Sequence, residues 1–234
     1  MGECLFARRG AIHTAPIVFQ SAFADNTWKE IILACQKNRV PATWMVGDQK
    51  SMTINGTKYQ IDIIGKNHDD YADGSGKAPL TLQLHDCYGS SWGLNDSDDN
   101  KTSWESSEMR TTNMPLVLSK MPAEVRTAIK EVNKLTSAGN MSKTIKTTAD
   151  KLFLLSEIEV FGKRTSSFAG EGTQYEYYKT QSRALKYQGD VARSWWTRSP
   201  ISTNSISFCL VSATGEATVG FSGSFNHTAP AFCF

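Results

Sequence analysis

Little in this chain points to a disulfide scaffold, a membrane span or a nucleic-acid grip. Its five cysteines, Cys4, Cys35, Cys87, Cys209 and Cys233, are an odd number with no paired spacing. Free, buried thiols are therefore expected, with a Cys209–Cys233 pairing across neighbouring strands as the alternative. No apolar run approaches the roughly 20 residues of a membrane span, so no membrane insertion is expected. Net charge is only +2 and Lys and Arg form no run, which argues against nucleic acid. The first residues lack the apolar stretch of a secretory leader, and Phe6 stands where a myristoylation site needs Ser or Thr. A protein made and kept in a cytosol, or released on a particle at lysis, is the expectation. Histidine is scarce (His13, His68, His85 and His227), and no Gly-x-Ser-x-Gly, phosphate-cradling loop or His-x-x-x-His occurs. No catalytic residue is nominated.

What is present is an ordinary globular composition, 40% hydrophobic and 21% charged over 234 residues. That length buries enough surface to fold without staples. Residues 1–24 read as a strand or arm with apolar positions at Ile12, Ile17, Val18, Phe19 and Phe23. Thr27 and Glu30 form a helix-start box, and Trp28, Ile31, Ile32 and Cys35 follow at helical spacing, ending near Asn38. Lys50 to Ile64 alternates around Asn55-Gly56, the signature of a β-hairpin. Leu80 to Leu84 makes a third strand. A polar loop follows from Gly89 to Thr102.

Helical signal returns from Trp104 to Leu118. A second helix after Pro122 carries a Val125, Ile129, Val132 stripe and stops near Gly139. Residues 139–150 read as a loop and Leu152 to Leu155 as a buried strand. Residues 162–193, with Tyr175, Tyr177 and Tyr178, are too long for a simple connector and read as an excursion framing a binding face. Strands then occupy Trp195-Trp196, Ile206 to Val211, Ala217 to Phe221 and Ala231 to Phe234, the middle two as a hairpin around Thr214-Gly215. Strands first, helices in the middle and strands last is an α+β order.

The final forty residues have bulky ends and a soft middle. Trp195-Trp196-Thr197-Arg198-Ser199-Pro200 and Ala229-Pro230-Ala231-Phe232-Cys233-Phe234 supply aromatic anchors. Between them lie Ser, Thr, Asn and Gly with single hydrophobes, the composition of an adaptable contact surface. Trp195 reads as packing and Arg198 as a buried charge-assisted hydrogen bond.

Together with Asn204-Ser205-x-x-Phe208-Cys209-x-Val211, these ends resemble the C-terminal module of a family of bacterial and phage proteins. That family is similar to the formylglycine-generating branch of the C-type lectin fold, and it includes the variable proteins of diversity-generating retroelements. Upstream, Trp44-Met45-Val46-Gly47-Asp48, Ile63-Ile64-Gly65-Lys66-Asn67-His68-Asp69-Asp70, Phe153-Leu154-Leu155-Ser156-Glu157 and Glu171-Gly172-Thr173-Gln174-Tyr175 resemble members from tailed phages of gut bacteria. The resemblance implies a C-type lectin-like fold with a mixed, mainly antiparallel sheet and two helices. Residues 1–40 would form an attachment arm and helix, residues 41–234 the lectin-like domain, and residues 194–234 its variable module.

It further implies a non-enzymatic receptor-binding protein of a phage tail, located in the virion or in the cytoplasm of the producing bacterium. The partners would be a host-surface protein or glycan and other tail proteins, with a homo-oligomer, for instance a trimer, at the tip. No cofactor is expected. A copper-dependent oxidase of the formylglycine-generating type and a purely structural virion protein are the alternatives.

The positions where diversified members differ map to Thr197, Ile201, Thr203, Ile206, Leu210, Thr218, Gly220, Ser222, Ser224, Phe225, Asn226 and His227. Ile206 and Leu210 stand evenly between strand packing and display. Ile201 and Phe225, read as loop residues, are expected to be exposed and so to mark a partner site. His68-Asp69-Asp70 and the Asp96, Asp98, Asp99 loop carry metal-compatible side chains. Neither has a ligand pattern, and the expectation is a structural pair and a solvated acidic turn.

Overall fold

The computed structural model describes residues 18–234. The expectations placed on Cys4, Ile12, His13 and Ile17, and on the arm they belong to, lie outside the described residues.

Helix α1 (Trp28–Gln36) starts with the expected reciprocal cap. Thr27 Oγ1 accepts from the Glu30 N–H, and the Glu30 carboxylate accepts from the Thr27 N–H at 2.7 Å. Its Trp28, Ile31, Ile32 and Cys35 face is buried, and Trp28 meets Phe234 edge-on at 6.2 Å. Strands β1 (Gln49–Ile54) and β2 (Thr57–Lys66) form the expected hairpin. Asn55 and Gly56 take the positive φ values, 49° and 80°, that its two-residue turn demands, so Ile54 faces Thr57. β3 (Leu80–Leu84) follows, with every residue buried.

The middle of the chain departs from the expected pattern. Trp104 does not open a helix; it is buried in a turn and donates its Nε1–H to Asp150 at 2.9 Å. A π-turn at Met109–Asn113 leads into α2 (Met114–Lys120). α3 (Ala123–Ala128) is shorter than its apolar stripe, because the backbone turns extended at Ile129. Val132 then opens β4 (Val132–Ser137), which pairs antiparallel with β5 (Ile145–Asp150) where a loop was expected. Leu152 to Leu155 is buried and extended, yet makes only one bridge, Phe153 to Ala231.

A second reciprocal cap, Ser156 with Glu159, starts α4 (Glu157–Phe161). The described residues thus hold four α-helices, and after α1 there are three where two were expected. The long excursion contains 3-10 turns at Glu176–Lys179 and Gln181–Ala184, then a hairpin of β6 (Lys186–Gln188) and β7 (Val191–Arg193). Its tyrosines Tyr175, Tyr177 and Tyr178 are core residues. The end of the chain is read correctly: β8 (Trp195–Pro200), β9 (Ser207–Val211), β10 (Ala217–Phe221) and β11 (Ala231–Cys233).

The sheets run β1-β2-β3-β11 and β10-β9-β8, with two hairpins, β4-β5 and β6-β7. The strand pairings within these sheets are antiparallel, and among the described residues a single parallel bridge joins Trp195 to His227. The fold is α+β. No helix among the described residues is long and apolar enough to cross a membrane.

Between the sheets lies a buried ion network. Arg198 on β8 grips Glu159 of α4 with two nitrogens, at 2.5 and 3.0 Å. Lys134 of β4 lies 2.7 Å from both Glu159 and Asp69, and the Tyr175 hydroxyl donates to Asp69 at 2.8 Å. Burial pushes the Asp69 carboxyl up, but the Lys134 ammonium more than reverses this and holds it at about 2. Glu171 differs. Burial pushes it up to about 7, against the Ser199 hydroxyl and Ser137 N–H that donate to it.

Replacing Arg198 by Ala leaves the buried Glu159 carboxylate to share the single Lys134 cation with Asp69. A loss of about 3–5 kcal/mol in denaturant-derived stability is expected. Because the folded state holds the Glu171 proton more tightly than the unfolded chain, the contribution of Glu171 to stability is fully present below pH ~4.5 and is lost as pH rises through 7. Unfolding at pH 5 and pH 8 should show this drop, and Glu171→Gln should shrink it.

Candidate ligand-binding site

The floor of the C-terminal module is rigid. Trp195 and Trp196 are fully buried, and their indole N–H groups donate to Ala184 O at 3.0 Å and Trp92 O at 2.8 Å. Arg198 also donates to the backbone at Leu154 and Leu135, so the expected scaffold roles of Trp195 and Arg198 hold. Trp196 faces Leu210 of β9, and Leu210 faces Thr218 of β10.

β10 is the outer strand of this sheet and carries the display. Val219 is 45% exposed and Phe221 53%. Two residues apart on a strand, they share one face. The Ser224 N–H donates to Phe221 O at 2.9 Å, closing a turn that delivers Phe225, 76% exposed. Ile206, 37% exposed, sits alongside, its carbonyl accepting from the Ser222 N–H at 2.9 Å. The acidic loop braces this turn: Asp98 accepts from the Gly223 N–H at 2.9 Å, and Ser222 Oγ accepts from the Asp99 N–H at 2.6 Å.

The twelve positions separate accordingly. Thr203, Ile206, Thr218, Ser224 and Phe225 are exposed; Gly220, Asn226 and His227 are half-buried; Thr197, Ile201, Leu210 and Ser222 are buried. Ile201 corrects the expectation of exposure. Its N–H donates to Ser207 O at 3.2 Å, which folds it against the start of β9 at 4% exposure. Thr197 points inward to Cys209 O at 2.8 Å. Gly220 is a packing position, since a Cβ there would lie 2.7 Å from Leu210 Cδ1 and 3.2 Å from the Trp196 ring.

Val219 and Phe221 were missed. The strand was expected, but the nominated residues, Thr218 and Gly220, are those of its other face. An edge strand with large side chains at alternate positions was the available signal.

The module is continuous with an aromatic column. Trp92 and Asn226 exchange backbone hydrogen bonds at 3.0 and 3.1 Å, which sets their side chains on one face. Tyr59, Tyr88 and Trp92 stack in sequence with 5.7 Å centroid spacings.

The metal-compatible side chains are occupied otherwise. Asp69 belongs to the ion network, Asp70 pairs with Lys77 at 2.9 Å, and His68 stacks on Tyr175 at 3.9 Å, its basicity lowered mainly by burial. Among the described residues no group of three or more His, Cys, Asp or Glu side chains is placed to hold a metal ion. Cys209 and Cys233 are free, buried and in different sheets, which removes the pairing considered for them.

Residues 81–234, about two thirds of the chain, match a family described as a domain of unknown function, DUF6273. The chain belongs to that family. No curated protein and no solved structure matches it. The DUF6273 match begins inside β3, so β1 and β2, which complete the same sheet, lie outside it.

Ile201→Asp should cost at least ~2 kcal/mol, because it buries an unpaired charge. Phe225→Asp should shift stability by no more than about 0.5 kcal/mol. Denaturant midpoints of the two variants check this contrast.

Proposed function

We propose that this protein is a non-enzymatic ligand-binding protein of C-type lectin-like fold, carried on a phage tail and recognising a host-surface protein or glycan through its C-terminal module. One observation carries the reading. Val219, Phe221 and Phe225 stand exposed on one strand-and-turn unit of the sheet whose far strand, β8, holds the buried Trp195, Trp196 and Arg198. Large apolar groups left in solvent on a rigid base are costly to keep and serve as contact anchors. The small hydroxyl residues among them, Thr203, Thr218 and Ser224, tolerate exchange without disturbing the floor. Several copies on one particle would add avidity to a modest single-site affinity.

The copper-oxidase alternative needs two cysteines brought together at a reachable place. Cys209 and Cys233 stand in different sheets, and burial pushes both thiols up, away from the reactive thiolate.

Clustered, fluorescently labelled protein should adsorb to cells of the host bacterium. Phe221→Asp with Phe225→Asp should reduce that adsorption at least ~10-fold, as loss of two anchors implies, with the thermal midpoint nearly unchanged. Undiminished adsorption by the double variant overturns the assignment of the face. In the neighbouring DNA, a near-copy of the coding region for residues 195–234, differing at adenines and beside a reverse transcriptase gene, would establish diversification.

A further inference from the structure

Outside that face, a second set of polar groups converges where β1, β2, the end of β3 and the tyrosine segment meet. Asp62 of β2 is fully buried, and its carboxylate accepts from Gln49 Nε2 and from His85 Nδ1, each at 2.8 Å. The Tyr177 hydroxyl stands 3.4 Å from His85 Nδ1. Gln49 Nε2 and His85 Nδ1 are 2.9 Å apart because both donate to the carboxylate they flank. Lys186 donates to Leu84 O at 2.8 Å and His85 O at 2.6 Å, fixing the backbone beneath the ring.

The imidazole is thus locked by one nitrogen. Its side chain is 40% exposed, and Nε2 makes no hydrogen bond among the described residues.

Tyr177 also carries a cation. The Arg183 guanidinium lies 4.7 Å from the Tyr177 ring centre. It occupies space left by Gly47, where a Cβ would be 3.1 Å from Arg183 Nη2. Among the described residues it has no ion-pair or side-chain hydrogen-bond partner. A guanidinium pinned between a glycine and an aromatic face, with no counter-ion, is a preorganised fork for an oxyanion.

We propose that His85 Nε2 and the Arg183 guanidinium form a binding site for a small oxyanion, a carboxylate or phosphate group, distinct from the C-terminal display face. The charged and titratable groups facing His85 agree with this sign. Asp62 has its oxygens taken by Gln49 and His85, and Asp86 accepts from the Tyr187 N–H at 3.0 Å. Lys186 and Arg183 add positive charge. The hydrogen bond to Asp62 raises the His85 pKa above its ordinary value despite burial, which favours the cationic ring in mildly acidic solution. Binding should weaken as pH rises through the His85 titration.

The test follows the His85 Cε1–H resonance in labelled protein at pH 6, on adding sodium acetate or inorganic phosphate against sodium chloride at equal ionic strength. A saturable shift with acetate, phosphate or both, absent in chloride, is expected, and the responding anion identifies the ligand group. Arg183→Gln should raise the half-saturating concentration at least ~10-fold, and Arg183→Lys should restore part of the loss. In His85→Gln, anion binding read from the Tyr177 amide should lose its dependence on pH between 6 and 8. Superimposable curves in all three salts, or an unchanged midpoint in a folded Arg183→Gln protein, would overturn the site.

Discussion

Everything displayed by this molecule rests on two buried cations and the carboxylates they share. Lys134 and Arg198 meet at Glu159, and Lys134 reaches on to Asp69. Four distant segments (the turn after β2, β4, α4 and β8) are thereby tied at one point. Burying these charges costs several kcal/mol per ion, repaid only if each is paired and hydrogen-bonded. Here the remaining donors are used: Arg198 also reaches Thr136 Oγ1 and three backbone carbonyls, and Lys134 reaches the Tyr175 hydroxyl at 3.1 Å. Such an arrangement specifies one register of β8 against β4 and α4. That register sets the height and tilt of the strands that carry the exposed face.

The same network explains what could be read from residues alone. The β1-β2 hairpin was legible because Asn55-Gly56 has one structural meaning and the flanking alternation is apolar. α1 was legible through its cap and stripe. β4 was not. Its inward positions are Val132, Lys134 and Thr136, so the side chains facing the core look like those of a solvated segment. Val132 also continues the spacing of Val125 and Ile129, which extends a helical pattern beyond the point where the backbone turns. Hydrophobic periodicity fails wherever a core is built from paired charges.

At the C-terminal module, position along the chain was legible and facing was not. The anchors at Trp195-Trp196 and Phe232 to Phe234 lie inside, and the hairpin between them forms. Which face of β10 carries packing depends on the Leu210 side chain and Trp196 ring closing over Gly220, a tertiary fact. Ile201 and Phe225 look alike as single hydrophobes in polar surroundings. One backbone bond to Ser207 draws the first inward, while the turn at Ser224 pushes the second out. His85 was noticed only as one of four histidines, since its partner Asp62 lies 23 residues away on another strand.

The family match starts at Thr81, within a strand whose two neighbours are β2 on one side and β11 on the other. Excising the chain at that boundary would strip β3 of β2, leaving a row of unsatisfied amides and carbonyls on an apolar ribbon, a template for any stray chain. It would also take away the acidic partner of His85. The heritable unit of this fold, the piece that could move intact between genomes, is therefore larger than its recognisable signature.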